Sequence, residues 1–276
     1  MGSRPDVPQE ASISVSPSVS PPNDTMTVSA VGALAATLAG ICHEALGHGL
    51  ACLGAGGHIT LLTSIWFRCS NGSPIADAGG PLGNLVAGSL ALGVLSYFRP
   101  GPTARLLLLL IGALSLFWLT GQLTFESLTT AQNDWTWALQ RGPAAVLRPF
   151  GTVAGIAGYV LVGRWVSTIN RKQGGSSAQA IRLAYAAAAA SAVIAGLMWR
   201  PEPFRSALEG FLVLGIAPFG LLNIARQASQ DAGNDIGSGS VPRSWAWICV
   251  GAAVFGLFLY IQAQGLGPMA AAPRAS

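Results

Sequence analysis

The chain has 276 residues, of which 51% are hydrophobic and only 9% charged, and its net charge is +4. A soluble domain carries about a quarter charged residues, so this composition, with a mean hydropathy of +0.51, excludes a large soluble domain and points to a polytopic membrane protein. Fourteen of the 15 basic residues are arginines scattered over the loops, which excludes a nucleic-acid-binding patch.

Residues 1–26 are rich in Ser and Pro, as in Ser14-Val15-Ser16-Pro17. Such a segment buries too little apolar surface to offset its ordering entropy and is expected to be a disordered tail. Seven apolar segments follow, at about 28–53, 77–98, 104–125, 144–167, 179–199, 205–226 and 244–264. Each holds about 20 residues or more, enough to cross a hydrocarbon core of roughly 30 Å as a helix. The expected fold is therefore all-α and polytopic, with about seven transmembrane helices in a lipid bilayer. The segment 55–73 differs from the other connections. Gly54, Gly56 and Gly57 break the first helix, and His58–Phe67 is β-prone, which predicts a short β-hairpin or re-entrant loop. Three regions result: the tail 1–26, a core 27–140, and additional helices over 141–276. Arginine counts on the two sides slightly favour a cytoplasmic N-terminus, and a cell membrane of bacterial type is expected.

Four cysteines occur without a CxxC pair. Cys42 is read as a small core residue. Cys52 and Cys69 flank one loop and could pair if that loop faced an oxidising compartment, which the sequence does not decide. Trp118, Trp135, Trp137, Trp245 and Trp247 lie near span ends and read as interfacial belts.

The chemistry is carried by His43-Glu44-Ala45-Leu46-Gly47-His48, inside the first apolar segment. It is read as an HExxH zinc motif. The two histidines, at i and i+5, project toward one point and share zinc, and Glu44 takes a proton from the attacking water. Ionisable groups inside a membrane helix are costly and usually functional. At the start of the second segment stands Ala78-Gly79-Gly80-Pro81-Leu82-Gly83-Asn84. Gly79, Gly83 and Ala87 form a small-xxx-small face for close helix packing. Asn84 is a candidate for holding substrate backbone or a developing oxyanion, or else a structural amide.

These two motifs resemble those of the site-2 protease (M50) family of intramembrane zinc metalloproteases. The second motif is similar to that family's Ala-Gly-Pro-Leu-Ala-Asn segment with one extra glycine. The resemblance covers about residues 30–140. It implies zinc, a catalytic glutamate, a cavity inside the bilayer, and cleavage of a membrane protein or peptide at a transmembrane or membrane-adjacent bond. The family's Leu-Asp-Gly motif, which supplies a third ligand, is missing. Asp134, in Asn133-Asp134-Trp135, resembles the Asp-Trp motif of divergent members and is the leading third ligand. Glu126 and Asp77 are alternatives, His58 is a weaker one, and Asp134 would otherwise serve as a helix N-cap. The competing reading is a non-proteolytic metal-binding membrane protein, such as a transporter or scaffold, that retains the motif.

Overall fold

The computed structural model describes residues 22–129, 133–139, 144–232 and 239–270. Most of the expected N-terminal tail lies outside them, but the first helix begins inside its last residues. It is an all-α polytopic membrane protein with one small hairpin. Among the described residues, seven helical spans are long and apolar enough to cross a bilayer: Thr25–Gly54, Pro74–Tyr97, Pro102–Leu128, Arg148–Lys172, Ala178–Met198, Pro203–Asp231 and Trp245–Gln264.

The first span is composite. Helix α1 (Thr25–Ile41) starts at Asp24, whose carboxylate accepts from the Thr27 amide at 2.8 Å. It continues as a π-helix over Cys42–Gly49 and ends as a short α2 (Leu50–Gly54). The hairpin follows, with β1 (Ile59–Leu62) antiparallel to β2 (Phe67–Cys69). The free edge of β1 is taken by the C-terminal segment, through paired backbone bonds between Leu62 and Leu266 at 2.8 and 2.9 Å. Cys52 and Cys69 form a disulfide that ties the end of the first span to β2.

Helix α3 (Pro74–Tyr97) starts at Ser73 with Pro74 in its first turn, a position where the missing amide hydrogen costs nothing. Helix α4 (Pro102–Leu128) is the centre of the bundle. Its Leu106, Leu109, Leu110, Leu114 and Phe117 are fully buried. A five-residue α5 (Asp134–Ala138) stands beside α3 and α4. Then come α6 (Ala144–Lys172), α7 (Ala178–Met198), α8 (Pro203–Phe211), α9 (Gly220–Ala232) and α10 (Trp245–Gln264). The sixth span is broken between α8 and α9 by a π-turn over Leu212–Ile216 and a 3₁₀ turn over Ala217–Phe219, where Pro218 cannot continue the ladder.

Without a hydrophobic force between helices in lipid, close approach depends on small residues. Ala180, Ala184 and Ala188 make one buried stripe of α7 at a spacing of four. The Ala184 backbone lies so close to Gly32 of α1 that a Cβ there would come within 3.0 Å of the Ala184 Cα. Trp118 departs from the expected interfacial belt. It is 3% exposed and sits inside the bundle, because α4 is central and covered by other helices.

Candidate metal centre

His43 and His48 do not follow the spacing of HExxH. That motif has two residues between Glu and the second His, and this chain has three: Ala45, Leu46 and Gly47. On an α-helix, residues five apart point about 140° away from each other at 100° per residue. The π-helix over Cys42–Gly49 removes that mismatch. Its i→i+5 hydrogen bonding returns residue i+5 to the face of residue i. The two imidazoles consequently converge, with ring centroids 4.9 Å apart and planes at 82°.

The third member of the group comes from outside the spans. Asp134 Oδ2 lies 3.0 Å from His43 Nε2, and Asp134 Oδ1 lies 3.5 Å from His48 Nε2. The three ligand atoms are all within 4.8 Å of one another. A tetrahedral site with bonds of 2.0–2.1 Å needs its donor atoms roughly 3.3 Å apart, and the two His–Asp separations bracket that value. Asp134 is not the cap of α5. The N-cap is Asn133, and the Asp134 side chain turns instead to the histidines. Burial pushes its carboxyl up, but the hydrogen bonds and charge of His43 and His48 outweigh this and hold it well below the ordinary carboxylate range.

Each ring is fixed from behind. His48 Nδ1 is 2.7 Å from the Ala76 carbonyl and 3.2 Å from the Gly80 amide. These two contacts demand opposite tautomers. The shorter one, with Nδ1–H donating to Ala76, leaves the Nε2 lone pair facing Asp134, as a metal ligand requires. His43 Nδ1 is 2.9 Å from the Asn84 amide nitrogen, and the Asn84 oxygen is buried without a partner. An Asn amide has nearly the same shape either way round. Turned over, it accepts from His43 Nδ1–H, satisfies its own oxygen and frees the second Nε2. Asn84 is fully buried behind His43 and does not line the cavity. Of the two readings of Asn84, this geometry fits the structural amide, since α3 packs tightly on the π-helix and turns Asn84 to His43.

That packing also shapes the centre. A Cβ on Gly80 would lie 2.5 Å from His43 Nε2 and closer still to His48 Nε2, while one on Gly47 would lie 2.5 Å from the Gly79 carbonyl. The doubled glycine thus leaves a cradle beside both donor atoms. Two buried imidazoles with backed Nδ1 atoms, one anionic carboxylate and this cradle make a group that could hold a metal ion.

Several contributors carry no motif in the sequence. Trp118 stacks on His43 at 4.1 Å, and Phe67 of β2 stacks on His48 at 5.1 Å. Gln122 donates to Asp134 Oδ2 at 2.9 Å. Glu126, an alternative ligand in the sequence reading, accepts from the Thr136 amide at 2.8 Å and from its hydroxyl at 3.0 Å. It anchors α5 rather than joining the group. The expected result for Glu126→Ala is metal binding weakened roughly 10–100-fold with all three ligands intact, read by competition with a chelating dye. Wild-type affinity would show that α5 does not need this anchor. Asp77 lines the cavity but is outside the group, and His58 is exposed.

Glu44 is 5% exposed, and its Oε2 has no hydrogen-bond partner. It faces a cavity of about 690 Å³ shared with His43, His48, Asp134 and Gln122 and rimmed by Arg68 of the hairpin. No protein family, curated protein or solved structure matches this chain.

Proposed function

We propose that the chain is an intramembrane zinc endopeptidase cleaving a transmembrane or membrane-adjacent peptide bond, a divergent relative in chemistry of the site-2 proteases. The observation that carries this reading is the convergence of His43, His48 and Asp134 beside an unpartnered buried glutamate in one cavity. Zinc in that place would polarise a peptide carbonyl and acidify water. His43 and His48 would hold it through Nε2, and Asp134 would add the anionic donor. Glu44, adjacent in sequence to a ligand and free of other hydrogen bonds, takes the proton from water at its carboxylate and delivers it to the leaving amine. The substrate is a membrane protein or peptide.

The test is metal content and hydrolysis measured together on the purified full chain. Stoichiometric zinc, cleavage of an apolar peptide, loss of cleavage on chelation and recovery with added zinc are expected. Zinc without hydrolysis favours the non-proteolytic alternative, a transporter or scaffold.

The disulfide bears on which side the centre faces. Disulfides persist in oxidising compartments, and Cys52–Cys69 lies at the same end of the bundle as the metal group. That end is opposite the N-terminus, for which the arginine counts slightly favour the cytoplasmic side. The centre accordingly opens toward the extracytoplasmic side. In intact cells, thiol alkylation before and after reduction should modify two more cysteines after reduction, and the Cys52→Ser chain should lose both. Full alkylation without reductant would contradict this orientation.

A further inference from the structure

Glu44 lines two cavities. One is the polar cavity of the metal group. The other, about 210 Å³, is walled by Ile41, Ala45, Leu62, Val254, Phe258 and Leu266. This second cavity is formed by the π-helix, strand β1 and α10. Its walls are fastened, not loosely apposed. Leu62 and Leu266 exchange backbone hydrogen bonds, and the Gln262 side chain accepts from the Ser64 amide. Apart from Glu44, Thr63 and Gln262, all the lining residues are apolar or glycine.

A preformed apolar cavity that shares the proton-transferring carboxylate with the reaction cavity is placed to receive the residue next to the reacting bond. We propose that it is a specificity pocket for a large apolar side chain, aliphatic or aromatic, adjoining the cleaved peptide bond. The inference rests on the peptidase reading and adds the substrate class: segments with a bulky apolar residue at the cut, as expected of membrane-spanning sequence. The Glu44 side chain that it shares with the metal cavity favours a substrate side chain over a lipid acyl chain as occupant. A charged residue there would lose its hydration with only Thr63 and Gln262 to replace it.

Two variants test the pocket without touching the metal group. Gly40 lines it, and a Cβ there meets nothing nearer than Phe258 Cζ at 3.8 Å, so Gly40→Leu has room to fill space beside Phe258. Phe258→Ala enlarges it. The probes are peptides differing only in the residues flanking the cut, with Leu, Phe, Ala or Asp, cleaved by the full chain in micelles and mapped by mass spectrometry. The wild type is expected to favour Leu or Phe over Ala by at least about 10-fold in kcat/KM, and to reject Asp. Gly40→Leu should erase the preference while still cleaving the Ala peptide, and Phe258→Ala should move it toward Phe. Cleavage with no apolar preference, or a preference unchanged in both variants, overturns the pocket and leaves the peptidase reading standing. Failure of the wild type to cleave any peptide overturns the peptidase reading, and the pocket's role falls with it.

Discussion

Glu44→Gln is expected to lower peptide hydrolysis by a factor on the order of 10²–10⁴ and to leave zinc content unchanged. The substitution keeps the volume of a side chain that is almost completely buried, so the π-helix around it should stay packed. Glu44 is not among the converging donors, which are His43, His48 and Asp134, so metal retention does not depend on its charge. Only the ability to take a proton is lost, because an amide oxygen is far less basic than a carboxylate. The measurement is turnover of a confirmed peptide alongside metal analysis of the same preparation. A variant with full zinc that cleaves at the wild-type rate would show that Glu44 is not the base.

Gly80→Ala should abolish metal binding through steric exclusion alone. The added Cβ would stand 2.5 Å from His43 Nε2 and nearer to His48 Nε2, inside the space a metal needs. Helix α3 cannot recoil easily. Gly79 and Gly83 press on the backbone of the π-helix so tightly that a Cβ on Gly79 would lie 2.5 Å from the Gly47 carbonyl. Gly93→Ala on the same helix is the control, since nothing lies within 4 Å of its Cβ position. The expected pattern is near-zero zinc and no hydrolysis for Gly80→Ala, against wild-type values for Gly93→Ala. Overpacking alone costs typically 1–3 kcal/mol, so a thermal melt separates lost metal from lost fold. Full zinc in a folded Gly80→Ala chain would place the metal elsewhere.

The seven spans were legible because their signal is length and hydrophobicity, which a bilayer imposes on any helix that crosses it. The hairpin was legible too, since glycines and β-prone residues announce it locally. His43, Glu44 and His48 stood out because ionisable residues are few in such a chain, whereas Asp134 was singled out only by its likeness to an Asp-Trp motif, with Glu126 and Asp77 beside it. The spacing of the histidines was less legible. Three residues between Glu44 and His48 form an inconsistent pair on an α-helix, and that count was itself the available signal for a π-turn. Asn84 read equally as a substrate contact or a structural amide because a buried amide near a motif has many uses. Only packing shows that His43 is its neighbour. Trp118 read as a belt residue because span ends are estimated from length, whereas its burial depends on which helix ends up central.

The triplet His43, Glu44 and His48, its placement in a membrane helix and the supply of one distant carboxylate follow from the sequence, because they depend on residue type and hydropathy alone. The π-helix that brings positions five apart onto one face, the Gly80 cradle, the Gln122 and Glu126 contacts that deliver Asp134, and the apolar cavity behind Glu44 were decided by the tertiary structure. Each is a relation between elements far apart in the chain, set by how close two backbones can approach, and no local pattern of residues encodes that distance.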